Sequence, residues 1–317
     1  MADSTFDLHT HTTASDGTDS PEELLLKAAS CGIEVLAIND HDTTSGCDEL
    51  SGTYEHFLIV DAPYRAYRIP TAAGAVTFIP GAEISTRSDI ARHHILALGY
   101  DLDHPAMKEL ISENLVRRRK SLIFKIEVAA SRGAELDDEE KEQLFEIPNA
   151  GRPHLAQIFV KKGLAKDVPD AFAKYLSNMP PNSEKMYASP EHAISQIHKA
   201  NGIAIWAHPI GGEGEKRLSE DEFARACSIM ADAGIDGCEC FYSHYDTAEI
   251  QKLRIIADQQ GWLRSGGSDY HGTNKSVKLG ALHADSPKYN DEQFLRITIK
   301  DVNAISALLG SDQMEFL

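Results

Sequence analysis

The chain is short of the features that would place it outside the cytoplasm or on nucleic acid. It has no CxxC pair, and its five cysteines, Cys31, Cys47, Cys227, Cys238 and Cys240, are odd in number. A disulfide framework is therefore not expected, and a reducing compartment fits. No run approaches the ~18 apolar residues of a membrane helix. The opening MADSTFDLHT lacks a basic segment followed by an apolar one, so no secretory signal is expected. Positive charge is scarce: 31 Lys and Arg against 49 Asp and Glu give a formal net charge of −18. That balance disfavours a broad groove tracking nucleic-acid phosphates, although a local basic patch could still hold a small anion. Neither a repeat nor a low-complexity tract occurs. The expectation is a cytoplasmic protein with no membrane partner and no large nucleic-acid groove. Its 317 residues allow a substantial core, in one large domain or two.

Short apolar runs alternate with helix-like segments, the pattern of parallel strands joined by crossover helices. Strands are expected at Phe6 to Leu8, Val35 to Ile38, Thr77 to Ile79, Ile95 to Leu98, Ile203 to Ala207, Cys238 to Phe241 and Leu263 to Ser265. Helix starts are readable. Ser20, Pro21, Glu22 and Glu23 combine an N-cap, a first-turn proline and a capping-box glutamate, and Ser189 with Pro190 repeats the signal. From about Asp101 to Tyr187 the rhythm breaks into helices alone, which predicts a helical insertion over 101–187 between two barrel segments, 1–100 and 188–317. Pro180, Pro181 and Asn182 would form the return linker. Elements inserted at strand ends commonly cover an active site.

Polar residues cluster at the strand ends. After the first strand come His9, His11 and Asp16 in DLHTHTTASDG, and after the second come Asp40, His41 and Asp42 in NDHD. Glu83 follows the third, His93 and His94 open the fourth, His208 ends the fifth, and Asp269 and His271 follow the seventh. Residues i and i+2 of a strand share a face, so His9 and His11 would project side by side. In a closed parallel barrel the carboxyl ends of the strands converge on one face, so these groups would meet. Imidazole and carboxylate without thiolate suit Zn, Mn or Fe. At about four to six ligands per ion, the set is sufficient for two or three metals. Such ions favour hydrolysis of phosphate esters, with amide hydrolysis as the other chemistry open to similar ligands.

The motifs DLHTHTTASDG, INDHDT, PGAEIS, HHIL, AHP and GSDYH, in this order, resemble the PHP family, the polymerase and histidinol phosphatase superfamily of metal-dependent phosphoesterases. The insertion, through GRPHLAQIFVKKG and DAFAKYLS, resembles the branch that contains nucleoside 3′,5′-bisphosphate phosphatases and short-RNA 5′→3′ exonucleases. The resemblance implies an α/β fold, a distorted (β/α)7 barrel with an inserted helical domain, and three divalent metal sites. One would take His9, His11, Glu83 and Asp269; the second would share Glu83 and add His94 and His208; the third would take Asp16, His41 and His271. Two departures stand out: Asn39 where threonine is common, and a long connection from Tyr54 to Ala75.

Within the insertion, Arg117, Arg118, Arg119 and Lys120 are consecutive on an expected helix, and Arg152 and His154 flank Pro153. Residues 100° apart cannot all face one way, and a solvated basic face accounts for such a run as well as phosphate binding does. The branch resemblance favours Arg117, Arg118, Arg152 and His154 as phosphate ligands. His244, after the sixth strand, is a candidate to bind phosphate or to donate a proton to the leaving alkoxide. GGEGEK at 211–216 lacks P-loop spacing and reads as a flexible loop. Tyr242 and Tyr245 receive no role, and Cys238 and Cys240 read as packing residues. The function expected is hydrolysis of the 3′-phosphate of a nucleoside 3′,5′-bisphosphate, or of short 5′-phosphorylated RNA. The competing readings are a histidinol phosphate phosphatase, a metal-holding binding module and a proofreading subunit of a polymerase.

Overall fold

A computed structural model describes residues 5–53, 58–59, 65–147, 150–179, 187–213 and 215–282. The expected linker at Pro180 to Asn182 lies outside the described residues. The chain divides into two compact units, Met1–Leu110 with Ser189–Leu317, and Ile111–Ala188.

The first unit is built on one sheet. Its strands are β1 (Phe6–Asp7), β2 (Val35–Ile38), β3 (Leu58–Ile59), β4 (Tyr67–Thr71), β5 (Gly74–Arg87), β6 (Arg92–Leu98), β7 (Ile203–Ala207), β8 (Gly237–Tyr242) and β9 (Leu263–Gly267). The main path runs β1-β2-β5-β6-β7-β8-β9, with β3 and β4 paired to one side. Backbone bonds from Leu8 N to Gly266 O (3.2 Å) and Asp269 N to His9 O (2.8 Å) join the two ends of that path, so the sheet is nearly closed. Every residue of β2 and β7 is buried, as expected of strands covered on both faces.

The expectation of an all-parallel barrel is corrected at its centre. β1-β2, β2-β5, β7-β8 and β8-β9 are parallel, whereas β5-β6 and β6-β7 are antiparallel. β5 is also much longer than the expected Thr77 to Ile79. Its first half pairs with β2, and from Gly81 to Arg87 it turns into a hairpin with β6. Gly81 is required there, because a Cβ would fall 2.2 Å from Asn39 Oδ1. Asn39 itself donates from Nδ2 to Leu8 O at 2.8 Å, tying β1 to β2. The long connection before β5 contains β4, which pairs antiparallel with β5.

Helices α1 (Pro21–Cys31) and α2 (Ser45–Thr53) pack Leu24, Leu25, Cys47 and Leu50 against Leu36, Ile38, Val76 and Phe78. α1 begins with the expected box: Ser20 Oγ accepts from Glu23 N, and Glu23 Oε2 accepts from Ser20 N. The helical unit takes up α3 (Pro105–Ser131), which starts in the first unit, and adds α4 (Asp138–Glu146), α5 (Arg152–Lys161) and α6 (Val168–Ala171), which runs into a π turn. Its core contains Leu122, Ile126, Leu144, Leu155, Phe159 and Leu176. The chain then returns to the first unit in α7 (Pro190–Lys199), α8 (Glu220–Ala233) and α9 (Thr247–Gln260).

Candidate metal centre

Glu83 is the middle of the site. It sits inside β5 rather than beyond it, and is fixed by backbone bonds from Glu83 N to Asp40 O (3.1 Å) and from Asp42 N to Glu83 O (2.9 Å). Its Oε1 lies 3.0 Å from His94 Nδ1, 3.1 Å from His208 Nε2 and 3.6 Å from His9 Nε2. Its Oε2 lies 2.7 Å from His41 Nδ1 and 3.4 Å from His11 Nε2. Burial would raise its pKa, but His94, His41 and His9 outweigh burial and hold the carboxyl well below the ordinary range.

His9 and His11 follow β1 on a stretch held to the chain beyond β9 by His11 N donating to Tyr270 O at 2.9 Å. Their rings lie 5.2 Å apart and both face Asp269 Oδ1, at 3.7 and 3.4 Å. Asp16 Oδ1 lies 3.2 Å from His271 Nε2 and 3.8 Å from His11 Nδ1, and Asp16 Oδ2 lies 3.8 Å from His41 Nε2. His94 reaches the site from the amino end of β6. Because β6 runs against its neighbours, that end shares a rim with the carboxyl ends of the parallel strands. The donor atoms fall into overlapping groups: His11, Asp16, His41 and His271; His9, Glu83 and His208; His9, His11 and Asp269; His41, Glu83 and His94. Every expected metal ligand is in at least one group.

The donors fit divalent cations. His9 Nε2 and both ring nitrogens of His11 are buried without a hydrogen-bond partner. Buried polar atoms are seldom left so, and several converging on one point are what ligands to an ion look like without it. Burial, with His271 beside it, pushes His11 well below the usual histidine range.

Other residues of the same motifs turn to structure. Asp40 accepts from Thr12 N (2.8 Å), Thr12 Oγ1 (2.6 Å) and Ser15 Oγ (2.6 Å), clamping the loop after His11. Asp42 accepts from Ser85 N at 2.8 Å. His93 bonds Ser88 Oγ through Nε2 and stands edge-on to Trp206 at 5.7 Å.

Some residues at the site were not expected from the sequence. GGEGEK carries Glu215 to 3.4 Å from His208 Nδ1, with His94 Nδ1 at 4.0 Å, so it is more than a flexible loop. The signal was an acid beyond a strand end, but it lies too far along the chain from His208 to be seen as part of that end. Tyr242 is fully buried, and its hydroxyl donates to Asp269 Oδ2 at 2.9 Å; Lys275 Nζ donates to the same oxygen at 2.6 Å. Tyr245 OH accepts from Ile210 N at 2.8 Å. His244 Nε2 lies 3.4 Å from Glu213 Oε2, its ring 5.6 Å from that of Tyr242.

Within the helical unit, Arg117 donates to Glu113 Oε2 and Asn114 Oδ1, both at 3.0 Å. Arg119 stacks on Phe145 at 3.5 Å and Arg152 lies 5.5 Å from the Phe172 ring. His154 Nδ1 accepts from Gly151 N at 3.2 Å, closing the start of α5. Among the described residues no helix is long and apolar enough to cross a membrane.

Residues 7–181 match the model of the PHP domain. Over 283 residues the chain is 33% identical to the 5′-3′ exoribonuclease Rnm of Escherichia coli, covering 87% of this chain and 88% of that protein. It is 28% identical over 269 residues to the 3′,5′-nucleoside bisphosphate phosphatase of Chromobacterium violaceum, covering 84% and 86%. A crystal structure from Bifidobacterium adolescentis, assigned as a metal-dependent phosphoesterase, superimposes with a TM-score of 0.71 over 96% of each chain at 24% identity, a likeness of fold. With this domain match, this similarity over most of the chain and a donor cluster suited to divalent cations, the chain belongs to the PHP domain family and is a hydrolase acting on phosphate esters.

Proposed function

We propose that the chain removes phosphate from nucleotides, with the 3′-phosphate of a nucleoside 3′,5′-bisphosphate as the leading substrate and short 5′-phosphorylated RNA as the alternative. The observation that carries this reading is the set of buried, unpartnered donor atoms around Glu83. The names of the Escherichia coli and Chromobacterium violaceum relatives support the substrate class.

His9, His11, Glu83 and Asp269 would hold one ion; Glu83, His94 and His208 a second; Asp16, His41 and His271 a third, with Mn, Fe and Zn all compatible with these donors. When bound, such ions supply a nucleophilic water near neutral pH and stabilise the attacking and leaving oxygens of an in-line displacement at phosphorus. The chain's own residues do the rest. Glu83 spans the ligand groups with its two oxygens. Tyr242 and Lys275 occupy Asp269 Oδ2 and leave Oδ1 facing His9 and His11. His244 is assigned proton donation to the leaving alkoxide, and Arg117, Arg118, Arg152 and His154 are assigned to the substrate's other phosphate. Support for the phosphate assignment is the local basic run from Arg117 to Lys120, and for both assignments the similarity to the two relatives.

The test is phosphate release from adenosine 3′,5′-bisphosphate, 5′-AMP, histidinol phosphate and a short 5′-phosphorylated RNA, on Mn²⁺-loaded and chelated protein side by side. Metal-dependent preference for the bisphosphate or the RNA is expected. Comparable release from histidinol phosphate would overturn the nucleotide assignment.

A further inference from the structure

Glu239 was given no role by its sequence context, where it stands between two cysteines that read as packing residues. It is fully buried on β8. At this point β8 carries one residue more than β9, since Glu239 pairs with Ser265 but Phe241 pairs with Gly266. Such bulges re-aim side chains and are frequent beside active sites. Here the carboxylate meets two of the donor residues. Glu239 Oε1 and Oε2 lie 3.1 and 3.3 Å from His9 Nδ1, and Oε2 accepts the backbone N–H of His208 at 2.9 Å.

Each bond has a consequence. To donate to a carboxylate, His9 must carry its proton on Nδ1, and the lone pair is then on Nε2, the atom that is buried and unpartnered toward Glu83 and Asp269. His208 has φ of 30°, a backbone region that residues with a Cβ seldom occupy, so its conformation needs an external hold. Its captured N–H is that hold.

We propose that Glu239 is the positioning residue of the metal centre: one buried carboxylate sets the His9 tautomer and pins the strained backbone of His208, delivering two ligand rings from β1 and β7 to Glu83. The proposal rests on the metal reading of the site given above. It assigns to Glu239 no contact with metal or substrate.

Glu239→Gln separates this role from a merely structural one. An amide accepts through its oxygen alone, so its nitrogen would face one of the two N–H donors. In calorimetric titration of the full chain, E239Q is expected to bind Mn²⁺ about 10- to 100-fold more weakly than the wild type. Its far-UV circular dichroism should stay that of the wild type, and the visible absorption of its Co²⁺-loaded form should change. A folded E239Q with unchanged Mn²⁺ affinity and an unchanged Co²⁺ spectrum overturns the proposal. Should E239Q fail to fold, Glu239→Asp, which keeps the charge but is too short to span both donors, is read by the same two measurements with the same outcomes. Wild-type protein that binds neither Mn²⁺ nor Co²⁺ would overturn the metal reading as well, and so is distinct from failure of the Glu239 role alone.

Discussion

Residues of the same type beside one another in the sequence part company in this fold. In NDHD, His41 faces Glu83 while Asp40 clamps Thr12 and Ser15. In HHIL, His94 faces Glu83 while His93 packs against Trp206. The residue types suited to a metal site were legible in the local pattern; which of two neighbours turns inward was implied only by the family resemblance, because alternation along a strand has a phase that only the pairing partner sets. Absence of a side chain matters equally. A Cβ on Gly267 would fall 2.2 Å from His9 Cβ and 2.5 Å from His9 N, so the chain after β1 approaches β9 as closely as backbone allows. Gly267→Ala is expected to lower the free energy of urea unfolding by about 1–3 kcal/mol, the usual cost of overpacking, and to weaken Mn²⁺ binding by displacing His9. Unchanged values for both would show that this approach can relax freely.

At the scale of elements, the strands with strong apolar runs were found close to their sequence positions, and Ser20 and Ser189 capped the helices they announced. The β5-β6 hairpin was missed because Pro80 and Gly81 punctuate β5 and read as its end, although the strand continues past them to Arg87. β4 was missed because its Arg68 and Pro70 dilute the apolar signal, and its stability comes from pairing with β5. One junction between elements is pH-dependent. His198 Nε2, in the last turn of α7, lies 2.7 Å from Asp236 Oδ2, which also accepts from Ala204 N at the start of β7. The hydrogen bond to Asp236 raises the His198 pKa above its ordinary value. A raised folded-state pKa stabilises the fold fully below about 6.5, the unfolded value, and that contribution is lost as pH rises through the folded-state value. The pair is over one third exposed, so solvent screening limits it to about 0.5 kcal/mol. His198→Ala should therefore be less stable than wild type to urea at pH 5.5, and the difference should vanish in alkaline buffer. A difference that grew with pH would contradict the pairing.

For the whole molecule, the anionic balance, the buried carboxylates of Glu83 and Asp269 and the partly exposed one of Asp16 would make cation binding a stability term as well as a chemical one. A ligand that binds the folded chain stabilises it by about 2.7 kcal/mol at a hundred times its dissociation constant, so the effect grows with concentration. Adding Mn²⁺ to chelated protein is expected to raise the calorimetric unfolding temperature progressively, and renewed chelation to reverse the rise. A transition indifferent to Mn²⁺ would speak against ions held in the native state. From the sequence alone came the α/β class, the helical interruption between sheet segments and the histidine-carboxylate chemistry, because each is written in local pattern: apolar runs, capping residues, ligand types at strand ends. The tertiary structure alone decided that β6 runs backward and so brings His94 to the same rim as His208. It also decided that Glu215 and Glu239 reach their histidines from other parts of the chain. Those facts depend on which strand lies beside which and in what direction, and hydrogen-bond pairing between distant segments leaves no mark in the local order of residues.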